Sequence, residues 1–315
     1  MKIVVLDGHT LNPGDLSWQP LEELGQLEVY ARTPHDQVVS RALEADALMI
    51  NKVKLTAKEM GQLPDLKYIG VTATGFDNVD LKAASEQGIT VTNIPAYGTV
   101  SVAQHTFALI LELTNKVGLH DKSVNDKEWV QNADFSYFKA PLVELESKTI
   151  GVMGYGAIGK KVCEIAAAFG MHVLVHSQHA THLKAGKLVS LEELFRQADV
   201  VSIHASLSPE TLGVVDKKLL DLMKPTAFLV NTSRGAIIDE ADLAAHLNDG
   251  KIAGAALDVL SKEPPVPDNP LLTAQNCIVT PHISWVSREA RQRLMNRAVD
   301  NLGMYLKGAW VNVVN

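Results

Sequence analysis

Two cysteines, Cys163 and Cys277, are all that 315 residues contain. That is too few for a disulfide framework in a chain this long. Cys163 sits in an apolar helical stretch and Cys277 heads the run Cys277-Ile278-Val279, so both are expected as buried thiols in a reducing compartment. Long apolar runs are missing too. The longest, Val100 to Leu111, is broken by Gln104 and His105 and falls short of the ~20 residues of a membrane span. The opening apolar run stops at Asp7, too soon for a signal peptide. These absences point to the cytoplasm and away from a membrane. Basic clusters are absent, and the net charge is −7, which argues solubility and no nucleic-acid partner. There is no low-complexity tract. What remains, 46% hydrophobic and 21% charged residues, is a globular composition, with length enough for two domains.

Short apolar runs alternate with amphipathic segments along nearly the whole chain. The first third predicts strands at Lys2–Leu6, Glu28–Tyr30, Ala47–Ile50, Tyr68–Val71 and Thr90–Thr92. Helical patterns lie between them, one opening with Thr56 and Glu59 at capping-box spacing. A long helical pattern follows from Ser101 to His120, then a polar and aromatic stretch, Asp121 to Glu146, with little periodicity. Its Trp129, Phe135, Tyr137 and Phe138 suit either a dimer contact or a local mini-core. A second series predicts strands at Thr149–Met153, His172–His176, Val200–Ile203, Ala227–Asn231, Ala255–Val259 and Ile278–Thr280. Four prolines between Pro264 and Pro270 mark a loop, and a helix from about Ser287 to Leu306 closes the chain. It is expected to pack back on the first domain. This βαβα rhythm argues parallel sheets covered by helices on both faces.

Gly154-Tyr155-Gly156-Ala157-Ile158-Gly159 is a G-x-G-x-x-G placed directly after a strand and at the head of a helix, the context that the dinucleotide fingerprint requires. Gly154 permits the tight turn, Gly156 lets the backbone approach the pyrophosphate, and Gly159 lets helix and strand pack closely. The helix N-terminus then offers N–H groups to the phosphates. The next strand ends at His176, and Ser177 stands where an NAD-binding chain usually carries Asp or Glu for the ribose 2′-OH. A hydroxyl bonds the ribose without repelling a 2′-phosphate, and Lys184 and Lys187 are the nearest fixed positive charges. NAD(H) and NADP(H) both stay open. His172, His176, His179 and His182 crowd this region, but no cysteine or carboxylate joins them in sequence. They read as a polar rim near the adenosine, and no metal is expected.

Segments spread over most of the chain make it resemble the D-isomer-specific 2-hydroxyacid dehydrogenase family. They are Ala73-Thr74-Gly75-Phe76-Asp77, Val102-Ala103-Gln104-His105, the glycine fingerprint, Asn231-Thr232-Ser233-Arg234-Gly235, Leu257-Asp258-Val259 with Glu263-Pro264, and Thr280-Pro281-His282-Ile283. Leu11-Asn12-Pro13-Gly14-Asp15-Leu16-Ser17-Trp18 and Asn93-Ile94-Pro95-Ala96-Tyr97 are most similar to the glycerate dehydrogenase, or hydroxypyruvate reductase, group. The resemblance implies three catalytic residues, and ketone reduction needs each. Arg234 would fork onto carboxylate and carbonyl oxygens. His282 would give the proton. Glu263 would bond its other ring nitrogen and favour the imidazolium.

The resemblance implies lesser roles as well. Backbone amides at Thr74 and Gly75 would hold the substrate carboxylate beside Arg234 and His282, with Trp285 walling the pocket. The cofactor path would run past Thr99, Gly154, Gly156, Ala157, Ile158, Gly159, Ser177, Ser206, Thr211, Thr232, Ser233, Arg234, Asp258, His282 and Ser284. Asp258 would meet the nicotinamide carboxamide or serve as a turn cap. Ser206 departs from the proline that relatives often have, and Gln104 replaces a common Glu.

The fold implied is α/β: two Rossmann/flavodoxin-like doubly wound parallel-sheet domains with a cleft between them. Residues 1–100 plus 286–315 would form the substrate domain and 101–285 the dinucleotide-binding domain. The expected activity is reduction of a small 2-keto acid, hydroxypyruvate or glyoxylate, to a D-2-hydroxy acid by a homodimer. Phosphohydroxypyruvate or pyruvate is the alternative, with Lys52 and Lys54 as candidate phosphate contacts. A nucleotide-sensing binding protein is the rival of another class, although the disordered tails expected of a recruiter are absent.

Overall fold

The computed structural model describes all 315 residues. The chain divides into two compact units, Met1–Gly98 with Trp285–Asn315, and Thr99–Ser284. No helix is long and apolar enough to cross a membrane.

The first unit is built on five parallel strands: β1 (Lys2–Val5), β2 (Gln26–Val29), β3 (Ala47–Ile50), β4 (Tyr68–Val71) and β5 (Thr90–Thr92), in the order 2-1-3-4-5. Side chains alternate across a strand, and the core splits accordingly. Val4, Leu48, Ile50, Ile69 and Val91 pack on one face, while Ile3, Val5, Ala47, Met49 and Tyr68 pack on the other. Burial on both faces explains why β3 and β4 read as continuous apolar runs. The helix Arg288–Leu306 covers the second face with a stripe of Ala290, Leu294, Met295, Ala298 and Leu302. Its buried Arg291 grips Asp15 with two bonds of 2.7 Å. That guanidinium holds the Asp15 carboxyl below the usual carboxylate range. The helix Ala57–Met60 begins with the capping box of Thr56 and Glu59.

The second unit carries seven parallel strands: β6 (Thr149–Met153), β7 (His172–His176), β8 (Lys187–Leu188), β9 (Val200–Ile203), β10 (Phe228–Asn231), β11 (Gly254–Leu257) and β12 (Cys277–Val279). Their order is 12-11-10-9-6-7-8, so the strand order reverses between β6 and β9. Helices Thr99–Asn115 and Ala157–Ala168 cover one face, and Leu191–Gln197 and Glu240–Asn248 cover the other. Burial pushes the Cys163 and Cys277 thiols up to about 12. Cys163 is buried as expected, whereas Cys277 is half-buried.

Three expectations are corrected here. The pattern Ser101–His120 is two helices, Thr99–Asn115 and Val117–Asn125, broken where Lys116 turns left-handed at φ 49°. The first helix ends there because Val143 N–H caps the Thr114 carbonyl and the Glu112 carboxylate takes Gly118 N–H. The stretch expected to lack periodicity from Asp121 therefore starts as helix. Its aromatics form no closed mini-core: Trp129 Nε1–H is tied to the Phe135 carbonyl at 3.0 Å, but Phe135 and Phe138 are 91% and 74% exposed. β8 has no counterpart among the expected strands; two residues are too short for a period.

Candidate active site

The glycine turn follows β6 at the point of strand reversal, where ligands sit in open α/β sheets. Each glycine has its own reason. Gly154 has φ +100°, and a Cβ there would lie 2.6 Å from the backbone of His204 and Ala205. A Cβ on Gly159 would overlap the Gly154 carbonyl. Gly156, at the N-cap of Ala157–Ala168, has nothing within 4 Å of its Cβ position. The backbone is therefore open to an approaching anion at the positive end of a twelve-residue helix. Beside it lies a cavity of about 840 Å³ walled by Gly154, Gly156, Ser177, Ser206, Thr211 and His204, among others. The size, the uncovered Gly156 and the helix terminus together fit a dinucleotide.

Ser177 follows β7. Its Oγ accepts the N–H groups of His179 and Ala180 at 3.3 and 3.2 Å. Thr211 closes the loop after β9, donating to the Ser206 carbonyl at 2.8 Å. His204, between β9 and that loop, was assigned no role from sequence. Its Nε2 meets Ser202 Oγ at 2.8 Å, and its buried Nδ1 has no partner. Burial lowers this imidazole to about 3, so it is neutral. A histidine directly past a strand, at the carboxyl edge of the sheet, was the available signal.

The second cluster gathers at the ends of β10, β11 and β12. Asn231, the last residue of β10, organises the Thr232-Ser233-Arg234 turn. Its Oδ1 accepts Ser233 N–H and Oγ–H, and its Nδ2 donates to the Arg234 carbonyl. Thr232 Oγ1 lies 3.1 Å from Thr106 Oγ1. Arg234 donates to the Ser233 carbonyl at 2.8 Å. Gly235 allows the backbone of Leu260 and Ser261 to pass so close that a Cβ would overlap it. That approach brings the loop of Glu263 against the Arg234 turn. Glu263 Oε2 meets His282 Nδ1 at 2.6 Å, and Oε1 accepts Leu260 N–H at 3.1 Å. An ionised carboxylate only accepts, so Nδ1 carries the hydrogen of this bond.

His282 itself adopts φ +55°, with its N–H shared between the Asp258 and Thr280 carbonyls. Asp258 shapes this turn. Its carboxylate is fully buried and accepts Thr280 Oγ–H at 2.6 Å and the N–H groups of Ile283 and Ser284 at 2.8 Å each. Of its two expected roles, the structure shows the cap: the oxygens are engaged by the chain itself. His105, whose motif was noticed but given no role, sits 3.1 Å from Thr280 Oγ1 and 3.5 Å from Asp258 Oδ1. Ser101 Oγ–H donates to the Ser284 carbonyl at 2.6 Å. Thr99 starts the same helix.

The remaining expected residues lie in the first unit. Thr74 Oγ–H donates to the Ile94 carbonyl at 2.9 Å and Asn93 Nδ2 holds the Thr74 carbonyl at 2.7 Å, fixing the loop that carries Gly75 after β4. Trp285 packs edge-on against Tyr97, ring centroids 6.1 Å apart. Of the four histidines around β7, His172 is exposed at the far end of the strand, while His176, His179 and His182 line the cavity. No three His, Cys, Asp or Glu side chains are grouped to hold a metal.

Comparison with known proteins agrees with this geometry. The profile for the D-isomer specific 2-hydroxyacid dehydrogenase NAD binding domain matches residues 107–284. A hydroxypyruvate reductase of Blautia hydrogenotrophica is 47% identical over 321 aligned positions, covering all of both chains. A glycerate dehydrogenase of Methylorubrum extorquens is 39% identical, over 99% of this chain and 98% of that one. Among solved structures, an acyclic imino acid reductase in complex with NADPH and D-Arg superposes with a TM-score of 0.89 at 32% identity over the full length of both.

Proposed function

Because the chain belongs to the D-isomer specific 2-hydroxyacid dehydrogenase family, we propose that it reduces hydroxypyruvate or glyoxylate to the D-2-hydroxy acid. The observation that carries this reading is the 2.6 Å bond between His282 and Glu263, in the same cluster as Arg234. The relatives named for hydroxypyruvate and glycerate support the substrate class.

A bound nicotinamide would supply hydride; the rest falls to the chain. Gly154, Gly156 and Gly159, with the amides of Ala157 and Ile158, would hold the pyrophosphate. Arg234 forks onto the keto acid, its planar guanidinium matching carboxylate and carbonyl oxygens. His282 delivers the Nε2 proton to the carbonyl oxygen as charge develops there, and takes it back in oxidation. Glu263 keeps the ring oriented and stabilises the imidazolium. The buried Asp258 holds the turn from which His282 projects.

The test is oxidation of reduced cofactor, followed by nicotinamide absorbance, with hydroxypyruvate, glyoxylate and pyruvate in turn. His282→Ala should lower kcat/KM by about 10²–10⁴-fold, the usual worth of a general acid. No turnover with any of the three, despite cofactor binding, refutes the small-keto-acid reading. A phosphorylated keto acid is the second reading, favoured by Arg32, Lys52 and Lys54 around a cavity of about 450 Å³ in the first unit. Faster turnover of phosphohydroxypyruvate than hydroxypyruvate would select it.

The loop after Asn125 further supports a homodimer. It exposes Val130, Phe135 and Phe138 at 83%, 91% and 74%, more apolar surface than a monomer's loop usually shows. Light scattering should give twice the chain mass, reduced by Phe135→Asp. The two unpaired thiols are suited to the cytoplasm.

A further inference from the structure

The wall of the dinucleotide cavity formed by the segment after β7 has a marked charge asymmetry. Between Met171 and Leu191 there is no Asp or Glu, while four histidines and two lysines stand there. Ser177, Gln178, His179, Thr181 and His182 all line the cavity, and Glu210 is the only carboxylate among its lining residues. Glu210 belongs to the loop after β9, where the Ser208 hydroxyl engages it. An NAD-selective site needs a carboxylate at the end of this strand, both to accept the ribose 2′-OH and to repel a 2′-phosphate. This wall has no negative charge to repel a 2′-phosphate.

Ser177 has more than the absence of charge to offer. Its Oγ already accepts two N–H groups, from His179 and Ala180. Its lone pairs are thereby used, and its own O–H points elsewhere as a donor. A phosphate oxygen only accepts, so it suits a donor-only hydroxyl. One cation lines the cavity beside Tyr155. Lys160 Nζ lies 5.4 Å from the centroid of that ring, and the backbone N–H of Lys184 donates to the Tyr155 hydroxyl at 3.2 Å. Each imidazole adds at least one N–H donor.

We propose that the chain selects NADP(H) over NAD(H), holding the 2′-phosphate with Ser177, His179 and His182 and drawing on the charge of Lys160. The selection rests on the dinucleotide reading of the cavity, and the experiment separates the two.

The purified protein is titrated with NADPH and NADH, following nicotinamide fluorescence, without any keto acid. Adenosine 2′,5′-bisphosphate and adenosine 5′-phosphate are titrated in parallel by calorimetry. NADPH should bind at least tenfold tighter than NADH, and the bisphosphate tighter than the monophosphate by a similar factor. Ser177→Asp should invert the NADPH/NADH ratio; Ser177→Ala, which adds no charge, should lower it several-fold, as should His182→Ala and Lys160→Ala. NADH binding as tightly as NADPH, with a ratio unmoved by Ser177→Asp, overturns the selection and leaves the dinucleotide site standing. Binding of neither cofactor overturns both.

Discussion

Asp258→Asn tests the link from packing to catalysis most sharply. The carboxylate has no exposed surface and accepts one hydroxyl and two backbone N–H groups. An amide keeps one oxygen. In either orientation at least one of Ile283 or Ser284 then points its N–H at an NH₂ group in a buried site. A donor stranded that way costs about 1–3 kcal/mol, so a loss of about 2 kcal/mol is expected. For a unit of this size that is roughly 4–8 °C in melting temperature. The consequence for activity follows from the turn. His282 N–H is bonded to the Asp258 carbonyl, and a displacement of about 1 Å in a reacting group costs on the order of 10²-fold. The assay is a thermal melt beside steady-state kinetics with hydroxypyruvate and separate titration of the cofactor. The expected result is a lower melting temperature and about a hundredfold lower kcat, with cofactor affinity little altered. An unchanged melt with strongly weakened cofactor binding would refute the reasoning and return Asp258 to a ligand-contacting role.

Glu263→Gln removes the charge from a 2.6 Å bond to His282. Charge-assisted bonds are worth about 1.5–3 kcal/mol, so kcat should fall roughly 10–100-fold while the melt stays near wild type. Gly154→Ala forces a side chain onto backbone at φ +100°, against His204 and Ala205; NADH and NADPH should both bind at least tenfold more weakly in a fluorescence titration. In the first unit, Asp15→Asn should lower the melting temperature at neutral pH. Because Arg291 lowers the Asp15 carboxyl from 3.8, its contribution is present above that value and disappears as pH falls through the lowered one. The gap between wild type and Asp15→Asn should therefore close when melts are repeated at progressively lower pH.

How much of this was readable before the fold was known follows the range of each signal. Parallel strands buried on both faces leave continuous apolar runs, so β3, β4, β6, β7 and β9 match the expected spans residue for residue. The capping box at Thr56 and the cap of the last helix at Ser287 are equally local, written within four residues. The glycine turn is local as well: spacing and position after a strand identify it, and steric overlap explains it.

The rest depends on partners distant in sequence. The helix break at Lys116 is sealed by Val143, which no periodicity around Lys116 announces. Glu263 and His282 are nineteen residues apart. Chemistry can ask for their pairing, but the distance comes from β11 and β12 ending side by side and from Gly235 letting the Glu263 loop pass. Asp258 is the clearest case. Sequence left it between ligand contact and cap, since its letter carries no direction. Only the converging of Thr280, Ile283 and Ser284 on one buried carboxylate, with His105 arriving from another helix, decided which way it faces. Local pattern determined the elements and the types of residue at their ends. Tertiary packing determined which of those residues meet, because burial and backbone convergence are properties of the whole fold.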